Sequence, residues 1–321
     1  MSHDDVVLVG IDGSPASLRS ADWAAAYAQT HGFGLHLVCS YAVPSFTTAA
    51  LDGGYAALDD TAIADGARAV LDEAVARLAP TGLRVTSAVA TGDAAAVLVD
   101  LSRGAAAVVV GSRGRGGFAE RLLGTVSSAL PAHAHCPTIV VPLPRGEDEA
   151  GEGEGARSAQ PPKVRRIVVG VDGSPAAELA LQHAIREAEA WDAELTAVAA
   201  VPVGSGTGIL AWLPAAVDHE AVLRDVAEGL DVVVDRALEH HPRITVRRHV
   251  LDGTGAALLT EFSTAVDLVV VGSRGRGGFA GLLLGSTSQA VLHHASCPVM
   301  VVTRRGHEEW TPASAGRAPW V

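Results

Sequence analysis

The chain has 321 residues, of which 48% are apolar and only 4% aromatic, and a formal net charge of −12. Its length suits two domains of about 100–150 residues, each able to bury a core without disulfides or a structural metal. The acidic balance argues against a general nucleic-acid binder, which needs surplus Lys and Arg for phosphates, and no apolar run approaches the roughly 18–20 residues that cross a bilayer.

In chain order, Val6–Ile11 is a short unbroken apolar run and predicts a first strand. "DGSP" then turns the chain, and Ser14 or Ser17 caps a helix to about His31, with Pro15 suited to its first turn. Leu35–Tyr41 predicts a second strand, Asp60–Leu78 a helix, Leu83–Ala90 a third strand and Ala94–Ser102 a helix. Ala105–Gly111 predicts a fourth strand. A helix after Gly124 should end near His135, because Pro137 disfavours helical geometry at Cys136, and Thr138–Leu143 predicts a fifth strand.

The whole set then recurs. "VVLVGIDGSPAS" at Val6–Ser17 matches "IVVGVDGSPAA" at Ile167–Ala177, and "AHCPTIVVP" at Ala134–Pro142 matches "ASCPVMVVT" at Ala295–Thr303. "GSRGRGGFAERLLGT" from Gly111 matches "GSRGRGGFAGLLLGS" from Gly272. The offset is 160 at Asp12/Asp172 and 161 at Gly111/Gly272, so a loop between them has gained one residue. The polar, Gly- and Pro-rich stretch Pro144–Lys163 reads as a solvated linker. The expected organisation is a domain over 1–143, a linker over 144–163, a second domain over 164–304 and a tail over 305–321. Strands that are apolar throughout, alternating with helices, predict two tandem doubly wound α/β domains, each on a five-stranded parallel sheet. Trp23 and Trp191, both in first helices, are expected in the cores.

In such a sheet ligands bind beyond the carboxyl ends of the strands, where Asp12 and Gly111 fall. The glycine loop excludes a Walker A reading, since the chain's single lysine is Lys163, in the linker. "GRGGFA" fits the dinucleotide fingerprint formally, yet no acidic residue lies in 121–146 or 282–306 to hold a ribose. The pattern kept in both copies is G-x2-G-x9-G-[ST]: Gly111, Gly114, Gly124 and Thr125, then Gly272, Gly275, Gly285 and Ser286, with Ser127 and Ser288 two residues on. Its glycines let backbone N–H groups approach anionic oxygens, and the helix that follows presents unpaired N–H groups. "HAHC" at His133–Cys136 and His293–His294 are explained by the favourable interaction of basic groups with a helix C-terminus, without a metal.

With these motifs the chain resembles the universal stress protein family, in its ATP-binding branch and tandem two-domain form. The resemblance implies adenine-nucleotide-hydrolase-like, Rossmann-like domains and two ATP sites, with Mg²⁺ bound through phosphate near Asp12 and Asp172. It places adenine near Ser40 and Ala200, with Gly92 and Gly253 lining the pocket. Phosphates would meet Gly111, Gly114, Arg115, Gly124, Thr125, Val126 and Ser127, and in the second copy Gly272, Gly275, Arg276, Gly285, Ser286, Thr287 and Ser288. Arg113 and Arg274 are further candidate charges. The resemblance also implies pairing through the fifth strands, within the chain and in a homodimer.

The expected protein is a cytoplasmic ATP-binding regulator of stress responses that works through an effector protein, with no nucleic-acid or membrane partner. The start "MSHDDVVLVG" lacks a secretory pattern, and Cys39, Cys136 and Cys297 form no CxxC pair and read as buried thiols. The rival is a slow ATP hydrolase or nucleotidyl-transfer enzyme on the same fold. A third reading is a dimerising scaffold that has lost its nucleotide.

Overall fold

A computed structural model of the chain describes residues 5–42, 60–114, 123–143, 162–202, 219–275 and 284–303. The first copy runs β1 (Val6–Gly10), α1 (Pro15–His31), β2 (Gly34–Tyr41), α2 (Asp60–Leu78), β3 (Val85–Thr91), α3 (Ala94–Leu101), β4 (Ala107–Gly111), α4 (Thr125–His133) and β5 (Thr138–Val141). The second runs β6 (Arg166–Gly170), α5 (Pro175–Trp191), β7 (Glu194–Val201), α6 (His219–Leu238), β8 (Val246–Asp252), α7 (Gly255–Phe262), β9 (Leu268–Gly272), α8 (Ser286–His294) and β10 (Val299–Val302).

Local chemistry explains the element ends. Ser14 and Ser174 cap α1 and α5 by accepting from Ser17 N and Ala177 N, and a proline follows each cap. Both helices end on a left-handed residue, Gly32 in the first copy and Asp192 in the second. The extra residue of the second copy lies between α6 and β8, since every later element is offset by 161. Differences from the sequence reading sit at element ends. The third strand begins at Val85, the fourth at Ala107, and α3 passes into a 3₁₀ turn over Ser102–Gly104. Helix α4 stops at His133, two residues early, because the extended Ala134 is followed by His135 N donating to Ser102 Oγ.

Each copy contributes five parallel strands, and the ten form one sheet in the order β3-β2-β1-β4-β5-β10-β9-β6-β7-β8. The junction is antiparallel: Ile139 lies opposite Met300, flanked by the pairs Thr138/Val301 and Val140/Val299. This corrects one expectation. The fifth strands pair with each other inside the chain, so neither remains an edge for a second chain, and the edges are β3 and β8. Those two strands are also not apolar throughout; they are half-exposed and carry polar residues such as Ser87 and Arg247.

The core has two layers, one on each face of the sheet, and both are continuous across the junction. One packs α1, α2, α5 and α6 on residues such as Val9, Ile139, Val169 and Met300. The other packs α3, α4, α7 and α8 on residues such as Leu8, Val140, Val168 and Val299. Trp23 and Trp191 are buried in the first layer. No described helix is long and apolar enough to cross a membrane.

Candidate functional site

Strand order reverses between β1 and β4, and between β6 and β9, which makes the crevice at their carboxyl ends the natural ligand position. In the first copy a cavity of about 280 Å³ lies there, near the lower bound of small-molecule pockets, about 300 Å³. Asp12, Ser40, Gly111, Arg113, Gly114, Gly124, Thr125, Val126 and Ser127 all line it. So do Ile11, Val38, Ala94 and Leu98, ordinary core residue types whose position only the fold reveals, and Ser17, read from the sequence only as a candidate cap.

Asp12 works in two directions. Its Oδ1 accepts from Ser14 N at 2.9 Å and from Ser14 Oγ at 2.6 Å, a turn that starts α1. Its Oδ2 faces Gly114 so closely that a Cβ there would collide with it, and Asp172 and Gly275 repeat the relationship. Asp172 Oδ1 likewise accepts from Ser174 N at 2.9 Å. Gly111 and Gly272 serve a packing need: a Cβ at either would stand 2.7 Å from the backbone of Ala16 or Ala176.

The base of each glycine loop is braced by backbone. Ser112 O accepts from Gly124 N at 2.8 Å and from Ser127 Oγ at 2.8 Å, and Ser112 N donates to Val141 O. In the second copy Gly285 N donates to Ser273 O, and Ser288 Oγ donates to Gly272 O at 2.6 Å. The single hydroxyl hydrogen of Ser127 and of Ser288 is thereby committed to the loop. Arg115 and Arg276, within the stretches 115–122 and 276–283, lie outside the described residues.

The start of the next helix has a different character. Helices α1, α3, α5 and α7 each carry a side-chain cap, from Ser14, Asp93, Ser174 and Thr254. Helices α4 and α8 begin on Gly124 and Gly285 with no side-chain cap hydrogen bond. Their first-turn N–H groups, at Thr125–Ser127 and Ser286–Ser288, therefore lack the acceptor that those four helices supply from their own sequence. Thr125 and Ser286 are exposed at that end. An anion is the acceptor that such a terminus suits.

At the opposite wall Ser40 Oγ donates to Gly92 O at 2.7 Å, and Gly92 has φ 133. Gly92 stands behind the cavity wall and acts on it through Ser40. The second copy has Ala200 there, so Gly253, with φ 140, receives no such bond. Gly255 and Thr287 replace Ala94 and Val126, and a Cβ at Gly255 would meet Thr287 Cγ2 at 3.4 Å. Thr287 and the missing side chain at Gly255 thus form a matched pair. Among the described residues no three His, Cys, Asp or Glu side chains gather as a metal site, His133–Cys136 and His293–His294 included.

The family model described as "Universal stress protein family" matches residues 5–142 and 163–303. Over 306 residues the chain is 35% identical to a universal stress protein of Mycobacterium tuberculosis, covering 92% of this chain and 95% of the other. A universal stress protein of Mycolicibacterium smegmatis is 33% identical over 306 residues, covering 93% and 97%. Among solved structures, a universal stress protein from Archaeoglobus fulgidus superposes with a TM-score of 0.66 at 20% identity, over 94% of this chain and 99% of that one, a likeness of fold.

Proposed function

The chain belongs to the universal stress protein family, as two family domains in tandem, and from that premise we propose that each half binds one ATP and that the protein regulates a partner by nucleotide-dependent association. The observation that carries this reading is the pair of helices α4 and α8, which open without a side-chain cap onto the switch-point crevice. Backbone N–H groups of Thr125–Ser127 and Ser286–Ser288 would hold the phosphates, with Thr125 and Ser286 as hydroxyl donors. The cavity wall at Val38, Ser40 and Leu98 would take the base and ribose. Arg113 lines the same cavity and adds positive charge.

Magnesium fits these residues only as a phosphate-borne ion. It prefers several waters and one or two carboxylates beside phosphate oxygens, and among the described residues Asp12 or Asp172 supplies a carboxylate facing each loop. When bound, the ion would neutralise phosphate charge; the protein's own residues orient the nucleotide and exclude bulk water from its base.

A hydrolase needs a base to orient water at the γ-phosphate. The one carboxylate common to both copies at the loop already accepts two hydrogen bonds through Asp12 Oδ1, and binding a triphosphate tightly does not by itself speed its cleavage. Regulation by binding is therefore the better reading. Mass spectrometry of the purified full-length chain, followed by calorimetry with ATP, tests it. Two equivalents of adenine nucleotide per chain support it; no nucleotide and no binding heat would reject it. ATP turnover lost in Asp12→Ala with Asp172→Ala, at unchanged affinity, would establish the enzyme instead.

A further inference from the structure

In a closed two-fold pairing, positions on the axis meet their own equivalents. Two such meetings occur in this chain. Ile139 and Met300, related by the 161-residue offset of the repeat, lie opposite each other in the β5–β10 ladder. Tyr27 and Glu187, related by the 160-residue offset, touch: Tyr27 Oη donates to Glu187 Oε1 at 2.9 Å. The pseudo-two-fold axis therefore runs from the centre of the sheet out between α1 and α5.

What stands on that axis is unlike on the two sides. Tyr27 and Glu187 are both 4% exposed. The second carboxylate oxygen of Glu187 lies 3.4 Å from His31 Nε2, while His31 Nδ1 lies 3.0 Å from the Tyr27 carbonyl and its ring stacks on Tyr27. Burial opposes the imidazolium, but the adjacent Glu187 carboxylate outweighs it and raises His31. Burial first, and then the Glu187 charge, hold Tyr27 well above its ordinary value, so its hydroxyl keeps the proton it donates. Arg186 and the Cys136 thiol are the other ionisable groups that act on Tyr27.

We propose that Tyr27 and Glu187 determine pairing specificity, making the two halves of this chain complementary to each other and not to themselves. The inference is independent of the nucleotide reading. Pairing of two second copies from different chains would bring Glu187 onto its own equivalent, two carboxylates in a buried site. The position of His31 would be taken by Trp191, which has an indole N–H but no charge. Unpaired buried charge is among the most costly features an interface can carry. Pairing of two first copies would put tyrosine on tyrosine, with no carboxylate for either hydroxyl or for His31. Each chain holds one of each copy, so every first-copy pair between chains leaves second copies that must pair with each other or stay unpaired. The Glu187 clash therefore acts against both.

Full-length chains test this by exchanging the two side chains. Tyr27→Glu puts two carboxylates on the axis of the native pairing. It should lower the thermal midpoint and shift sedimentation to expanded or larger species. Adding Glu187→Tyr restores one tyrosine and one carboxylate in reversed order, and should return the wild-type sedimentation coefficient and most of the midpoint. A double variant no better than Tyr27→Glu, or a Tyr27→Glu chain that behaves as wild type, overturns the proposal. Glu187→Gln keeps the volume and an acceptor for Tyr27 while removing the charge. After refolding at high protein concentration it should leave about tenfold more interchain-paired material than wild type, and an unchanged fraction would equally overturn it.

Discussion

Gly114 leaves open the space that the Asp12 carboxylate fills: a Cβ at Gly114 would run into Asp12 Oδ2, and Gly275 stands to Asp172 in the same way. Since Asp12 also starts α1 through Ser14, this close approach couples the glycine loop to the end of β1. Gly114→Ala must then displace either the loop or the carboxylate, at a cost of roughly 1–3 kcal/mol, the usual range for overpacking. The expected result is loss of nucleotide affinity at the first site only. Calorimetry should fall from two equivalents of ATP to one, and Gly275→Ala should do the same from the other side. Retention of both equivalents at wild-type affinity in each variant would separate the loop from binding.

The two copies provide an internal control for helix termination. Gly32 ends α1 at φ 71, whereas the equivalent Asp192 ends α5 at φ 52, in the region that penalises a side chain. The cap hydrogen bonds from Asp192 N to Ala188 O and Glu189 O come from backbone and survive substitution. Asp192→Gly should therefore stabilise the chain by up to about 1 kcal/mol, net of glycine's extra unfolded-state entropy. A thermal melt should show a raised midpoint, with ATP stoichiometry by calorimetry unchanged. A lowered midpoint would mean that the Asp192 side chain contributes more than its backbone strain costs.

Two histidines, His36 buried and His31 partly buried, give opposite pH responses. Burial in β2 lowers His36 below its usual 6.5, while Nδ1 pairs with Thr86 Oγ1 at 2.8 Å. The folded chain then binds this proton less tightly than the unfolded one. The stability involved is complete above about pH 6.5 and is lost as pH falls from there toward the folded value. His31 is raised, so its contribution is complete below about pH 6.5 and is lost as pH climbs through the folded value. Denaturant midpoints from about pH 5 to 8 should show a shallower acid limb in His36→Gln and a shallower neutral limb in His31→Gln. Identical pH profiles for both variants and the wild type would refute the assignment.

Much of this was legible in the sequence for physical reasons. Apolar runs, Ser-Pro helix starts and the duplicated glycine spacing are local signals; they located the five strands of the first copy, implied those of the second by repetition, and pointed to the α1 cap and the crevice. The turn at "DGSP" was legible, and the structure shows Asp12 making it with one carboxylate oxygen while the second faces the loop. The missed features are long-range. Leu98 and Val38 are core residue types that happen to border the cavity. Tyr27 and Glu187 read as unremarkable helix positions until the fifth strands pair and bring them to one axis. The hydroxyls of Ser127 and Ser288 were natural phosphate donors by residue type, but the turn of the chain gives each a backbone carbonyl first. Pairing of the fifth strands was expected from family resemblance; that it leaves no fifth-strand edge follows only from the assembled sheet.

Cys136 and Cys297 occupy equivalent positions just before β5 and β10, and neither they nor Cys39 is in a disulfide. Burial pushes both thiols up to about 12, against a smaller lowering by backbone hydrogen bonds. The thiolate is the reactive form, so at pH 8 each exposes it about once in ten thousand molecules, and the packed core blocks access to what little forms. All three cysteines are buried, and an aromatic disulfide reagent should find no fast-reacting thiol in the native chain. Under denaturant the full complement should appear, at a rate that tracks global unfolding. A thiol that titrates rapidly in the native protein would show that one of these segments opens locally, and substituting each cysteine in turn by alanine would identify which.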